Sequence, residues 1–467
     1  MPSARNSVAK REIERPIMRT YLFVILTSVL VSILQEPTQA QAVVSPQSLL
    51  LDNLTIDIGP LIGQATAQSF NPATRTTGGP IMPNSAEINN EPSPAPANEL
   101  LPSSKKNVVE EVNQKFWRLV FTFGTGVFYD DNLFITHTHR LSDTVFTLDG
   151  GAAFELGDYR NQIDNFFIAK YLVTGYLFTD HTTEDSADQD VLLNGQYRFS
   201  NFTFISRITY DYLNGPDRLV GTFINRQFID GFFRLNYDFT SKTQLYGEFE
   251  QISNIYRSYL NSFDYIGRIG VDYQITGKIK IGILGVVGSL QQQGGTSSTY
   301  GQGRLHVSYQ FTDKLTFDGS VGGEYRQYSS GGASRGDPVF TLGLIYHPFV
   351  DTTVTLSGFR SEFASPLFGG EDFIGTGVAF AVSQRFIDRF TASIAIGYEH
   401  DKYIVASSNA PNIDRKDDYV YIRPNISYNF RAWLNAEVYY QFSRNSSTHS
   451  FNSYYDNRVG GQISIFF

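Results

Sequence analysis

The sequence predicts an all-β protein: a transmembrane antiparallel up-and-down β-barrel of about eighteen strands, with sixteen as the alternative count. Three observations carry that prediction. From Phe116 onward apolar and polar side chains alternate, as in Leu434-Asn435-Ala436-Glu437-Val438-Tyr439-Tyr440-Gln441-Phe442. Period two marks strands with one face in an apolar medium and the other in a polar one. Aromatics gather near strand ends, and the last residue, Phe467, is itself aromatic. A polar turn beside an aromatic then recurs every roughly 40 residues, the length of a strand pair with its connections.

Composition agrees. The 467 residues include 28 Tyr, 38 Phe and 40 Gly, with aromatics at 15% and charged residues at 18%; mean hydropathy is −0.20. The charged share is below that of ordinary soluble domains, roughly a quarter. After residue 34 no stretch approaches the ~20 apolar residues a membrane helix needs. The absence of cysteine rules out disulfides, thiolate metal sites and a Cys nucleophile. A net charge of −9 argues against nucleic acid as a partner.

The first element is an export signal over residues 1–42. Arg19 precedes the apolar run Tyr21-Leu22-Phe23-Val24-Ile25-Leu26, which continues to Leu34, and Ala40-Gln41-Ala42 supplies a small-x-small cleavage site. Met18 opens this pattern so cleanly that it reads as the true start. Residues 43–115 form a second region rich in Pro, Asn, Ser and Ala, as in Glu91-Pro92-Ser93-Pro94-Ala95-Pro96. Such a segment buries too little apolar area to offset its ordering entropy, so it reads as a disordered periplasmic arm. Residues 116–467 are the barrel.

Within the barrel the inner turns are the best markers. They recur as Tyr237-Asp238-Phe239-Thr240-Ser241-Lys242, Tyr273-Gln274-Ile275-Thr276-Gly277-Lys278 and Tyr309-Gln310-Phe311-Thr312-Asp313-Lys314. Each sets an aromatic girdle residue beside a tight polar turn, as a membrane interface requires. The opposite loops are polar and short to moderate, and none is long enough for a large folded plug. An even strand count returns both ends to the periplasm, with a strand near Trp117–Tyr129 closing on one near Tyr454–Phe467.

Alternation also assigns the faces. In Phe233-Arg234-Leu235-Asn236-Tyr237-Asp238-Phe239 the odd positions meet lipid and Arg234, Asn236 and Asp238 turn inward. The same reading sends Arg198, Arg207, Asp211, Glu248 and Glu250 to the lumen. It does so too for Asp264, Arg268, Asp272, Arg304 and Asp318, and for Glu324, Arg326, Arg423 and Glu437. A cation at the lipid midplane costs ~2–4 kcal/mol, so these residues belong inside a water-filled or partly occluded pore. Mixed signs shape a transverse field for polar solutes; the plainer account is pairing between neighbouring strands. Tyr421 and Tyr439 are inward candidates for stacking on sugar rings.

A barrel-embedded enzyme is the weaker alternative. It would need a nucleophile, a His and an orienting partner together. His137, His139, His181, His400 and His449 fall in or near loops, while His306 and His347 fall near inner strand ends. Neither H-E-x-x-H nor a phosphate loop occurs. No catalytic residue, cofactor or metal is therefore expected.

Two stretches bring a known family into view. Gly126-Val127-Phe128-Tyr129-Asp130-Asp131-Asn132-Leu133-Phe134 resembles the opening motif of the β-barrel porin 2 family. Tyr439-Tyr440-Gln441-Phe442-Ser443-Arg444-Asn445, with Tyr454-Tyr455-Asp456-Asn457-Arg458-Val459 and Phe467, resembles its ending. That family is similar to outer-membrane barrel proteins of exopolysaccharide operons. The resemblance implies an outer-membrane pore linked to polysaccharide secretion and carries over no catalytic residues. Asp130-Asp131-Asn132, at the outer rim, reads as a turn whose acids bond their own backbone; calcium bridging to lipopolysaccharide phosphates is the sharper alternative.

Together these readings predict a non-enzymatic channel in the outer membrane of a Gram-negative-type bacterium, passing polar solutes. A structural or adhesive barrel with a plugged lumen comes second and a hydrolase last. Its surroundings would be outer-membrane lipid, lipopolysaccharide, the barrel-assembly machinery reading Phe467, and polysaccharide.

Overall fold

The structure, a computed structural model, describes residues 116–159, 162, 164–332, 334–387, 389–407 and 414–467. The export signal and proline-rich arm lie outside the described residues. The strands are β1 (Trp117–Asp130), β2 (Asp143–Gly157), β3 (Phe166–Phe178), β4 (Ser186–Phe199), β5 (Phe202–Asp217) and β6 (Thr222–Asp238). Next come β7 (Thr243–Tyr256), β8 (Ser262–Thr276), β9 (Ile279–Gln292), β10 (Ser298–Thr312), β11 (Leu315–Tyr328) and β12 (Arg335–Tyr346). The last six are β13 (Thr352–Ala364), β14 (Glu371–Ile387), β15 (Phe390–Val405), β16 (Lys416–Arg431), β17 (Leu434–Ser447) and β18 (Tyr454–Phe466).

All are antiparallel to their sequence neighbours, and β1 pairs with β18 from Thr122↔Phe466 to Asp130↔Arg458. This is the closed eighteen-stranded barrel that the alternation predicts. Closure leaves no open edge, the condition for backbone in hydrocarbon. Side-chain hydroxyls fix the inner turns: Thr240, Thr276 and Thr312 each accept a hydrogen bond from the backbone N–H of the lysine two residues on. A bulge accompanies the turns at Gln274/Thr276 and Gln310/Thr312.

Exposure alternates as two solvents demand. On β1 Trp117, Leu119, Phe121, Phe123, Val127 and Tyr129 are exposed, while Thr122, Phe128 and Asp130 between them are buried. Elsewhere the outward set includes Ile269 and Val287, about 70% exposed, and inner-turn aromatics such as Phe239, Phe349 and Phe386. A closed barrel wearing such a belt is an outer-membrane protein.

The wall is not uniform. β5 and β6 pair along their whole length, to Asp217↔Thr222. β12 and β13 pair only from Tyr346↔Val354 to Phe340↔Arg360, although β12 stays paired to β11 up to Arg326↔Arg335. Beyond Phe340 the sheet parts, just where Pro338 has no N–H to donate. Beyond the parting, the tips of β13, β14 and β15 pack inward, in front of β11. Ile374 and Ile404, whose alternation would face lipid, are instead buried with Tyr328 and Ala406. Glu362 there accepts from the Tyr328 hydroxyl at 2.7 Å and pairs with Arg326 at 3.3 Å.

Candidate functional site

Along the inner part of the lumen, charges are held between neighbouring strands. Arg234 donates to Glu248 at 2.9 Å, and Arg268 reaches both Glu250 and Glu248. Arg207 pairs with Asp230, and Arg423 with Glu437 at 3.9 Å. His306 sits mid-strand on β10, further in than its sequence position suggests, between Asp272 at 3.3 Å and Asp318 at 3.2 Å. Arg304 donates to Gln302 and to the Ser320 hydroxyl; Arg326 donates to Glu324. Asp264 accepts from the Tyr300 hydroxyl, and Asp238 from Gln244. Arg198 and Asp211 share the alternation of these residues on β4 and β5. Tyr421 and Tyr439 are buried, Tyr439 beneath the Arg423 guanidinium at 4.8 Å. Most of these contacts join residues of one strand or of neighbouring strands, so they brace the wall.

The outer mouth is built differently, and no expectation from the sequence covers it. No loop is long, yet several fold inward. The β5–β6 turn is the first. Asp217 accepts from the N–H groups of Leu219 and Val220 at 2.9 and 3.2 Å, and Gly221 takes φ +78°, a tight turn that glycine makes without steric cost. The long hairpin carries Arg218 to β15, nearly half-way round the ring. There Arg218 donates to Asp401 at 2.6 Å and to Glu399, all three buried. Burial opposes the guanidinium charge, but the two carboxylates outweigh it and raise the Arg218 pKa above its ordinary value. Leu219 packs with Phe373 and Tyr403, and its carbonyl accepts from Arg415 at 3.4 Å.

The loop 131–142 is the second inward element. Its Leu133 packs with Phe128, Val145, Tyr176, Phe178 and Tyr439, and Phe134 lies 5.9 Å from Phe223. Ile135 is fully buried among Phe359, Ala379, Tyr419, Tyr421 and Tyr454, on strands from β13 to β18. Asn132 shapes this turn: its N–H donates to Asp130 Oδ1, and its own Oδ1 accepts from Thr136 N–H. That is the turn role read for Asp130-Asp131-Asn132. Ile135 is left at φ +46°, costly for a β-branched residue. The loop 365–370 adds a third crossing, Pro366 accepting from Leu260 N–H and Ser365 from Gln292.

Among the described residues, Gly332, Ser334 and Gly336 have the spacing of a hydrolase nucleophile motif. Gly332 and Ser334 lie in the β11–β12 connection and Gly336 in β12, without the strand-to-helix elbow that chemistry needs. His181 pairs with Asp143 and His400 with Asp418, both at 2.9 Å near the outer rim.

Residues 234–464 match the model of the surface lipoprotein assembly modifier family. No curated protein matches. Solved structures that resemble the barrel include Pseudomonas aeruginosa OpdQ, at 11% identity over 76% of this chain and 99% of that one, TM-score 0.39. Another is P. aeruginosa OccK2 (OpdF) in complex with glucuronate, at 13% identity over 75% of this chain and 98% of that one, TM-score 0.40. The FrpB iron transporter from Neisseria meningitidis is similar at 10% identity over 71% of this chain and 62% of that one, TM-score 0.39. Likeness this distant transfers neither substrate nor site residues.

Proposed function

We propose that this barrel is a gated channel for polar solutes, with inward-folded outer loops as its gate. The observation that supports it is the Arg218 crossing: a charged residue on a short hairpin tip, bound to two buried acids across a lumen otherwise lined by wall-held charge. Planar-bilayer recording of the mature protein, with and without residues 43–115, is the test. Expected are long closed periods broken by Ohmic openings in both forms. Steady current in both would remove the gate, and current only after truncation would make the arm the plug. Silence in both, even at high voltage, would favour a structural or adhesive barrel.

The sixteen inward charges named from the sequence are proposed as pore-lining. Polysaccharide is the proposed cargo class, on the resemblance of the opening and closing motifs; Tyr421 and Tyr439 would offer ring faces only once Ile135 and Leu133 withdraw from them. Liposome swelling with neutral and acidic oligosaccharides reads this directly. Phe467 is proposed as the handle for barrel assembly; deleting it should lower the folded yield in membranes.

A second reading follows the matched family's name, assistance to surface lipoproteins. The parted β12–β13 seam favours it, since an acylated protein needs a route between lumen and lipid that a closed wall denies. Co-expression with a surface lipoprotein, scored by protease access on intact cells, discriminates. Unchanged exposure without the barrel would end this reading.

A further inference from the structure

Three carboxylates stand at the outer end of the β1–β18 seam, at the base of the 131–142 loop. Asp130 ends β1, Asp131 follows it, and Asp456 lies on β18, their oxygens all within 4.8 Å of one another. Two of them are engaged. Asp130 accepts from Asn132 N–H at 2.9 Å and from Arg458 at 2.6 Å. Asp131 accepts from the backbone and side chain of Asn457 at 2.8 and 2.7 Å, with Arg140 at 3.6 Å. Asp456 differs. It is fully buried, and neither of its oxygens has a hydrogen-bond partner.

A carboxylate removed from water, beside two more, with no donor on either oxygen, is strongly disfavoured as an anion. Arg458 directs Nε and one amino group to Asp130 and makes no hydrogen bond to Asp456. Either a proton shared with a neighbouring carboxyl or a cation resolves that conflict. The donor set is all hard oxygen, and carboxylate oxygens keep free lone pairs after accepting one hydrogen bond. That chemistry suits calcium, which takes carboxylates singly or in pairs and completes its shell with water.

We infer that Asp130, Asp131 and Asp456 form a divalent-cation site, with calcium as its preferred ion. The site is an internal staple. Asp456 alternates with outward Tyr455 and Val459 and therefore faces the lumen, away from lipopolysaccharide. The ion would join the closing strand to the base of the loop that carries Leu133 and Ile135. The inference does not depend on whether the pore conducts.

The test uses the folded full-length barrel in detergent, stripped with EDTA. Calcium should raise the Tm by several degrees, and terbium should bind with emission sensitised by the neighbouring Tyr455. Asp456→Asn keeps the side-chain shape; it should abolish the calcium shift and weaken terbium binding by more than roughly tenfold. Asp313→Asn, at an exposed inner turn, should change neither. Should Asp456→Asn fail to fold, Asp131→Asn and calorimetric titration of the wild type with calcium take its place. Wild type indifferent to calcium, magnesium and manganese would mean that Asp456 holds a proton and overturn the inference. Undiminished binding in the Asp456 variant would overturn it too.

Discussion

The inner lumen and the outer mouth use the same residue types to opposite ends. Inside, Arg234 and Arg268 each meet Glu248 on the strand between them, partners that the hydrogen-bond register already places side by side. At the mouth, Arg218 meets Glu399 and Asp401 at a separation of more than 180 residues. A pair between neighbours stiffens the wall. A pair across the lumen ties distant strands together at the mouth, as the proposed gate requires. Charge chemistry alone therefore does not distinguish a pore from a plug; the strand distance between partners does.

Four changes test that contrast, from the largest expected effect to the smallest. Replacing Glu399 and Asp401 by Ala strands the buried Arg218 cation, which should cost about 3–5 kcal/mol in urea unfolding of the detergent-folded barrel. Open probability in bilayers should rise with it; an unchanged closed state would show that the crossing does not hold the mouth. Ile135→Ala removes the apolar anchor of the 131–142 loop, for about 2–5 kcal/mol at most, with longer openings. Part of that loss should be returned, because alanine tolerates a positive φ better than a β-branched residue. Val287→Lys on the lipid face should cost ~2–4 kcal/mol if it lies at the midplane, without altering gating. Arg234→Ala breaks a partly exposed neighbour pair and should shift stability by about 1 kcal/mol or less, leaving the closed periods intact. A large gating change there would erase the distinction between the two regions.

Much of the fold was legible. Period-two alternation, aromatic turns and the aromatic end pointed to eighteen strands, their closing pair and the loop positions, because each is a local pattern repeated along the chain. Strand limits are harder to read where polar residues continue a strand above the membrane, as β4 does from Ser186 and β5 does to Asp217. Alternation assigns the charged residues their inward face by the same local pattern. The inward folding of the outer loops was not legible, since alternation describes one strand and says nothing of what lies across the lumen. Signals for it did exist: Leu133-Phe134-Ile135 and Leu219-Val220 are apolar runs inside otherwise polar outer loops, where water gives them no reason to be. Asp456 carried no such signal, because its lack of partners depends on how β1 and β18 meet.

Ile135 gives the mouth a direction. Its backbone sits in a region that disfavours β-branched residues by about 1–3 kcal/mol, held there only while its side chain stays sunk among aromatics. In the proposed gate, whatever pulls that side chain free, whether voltage, cargo or a vanished ion, would be helped by the relaxation that follows, and each reclosure would have to bend the residue back like a sprung latch.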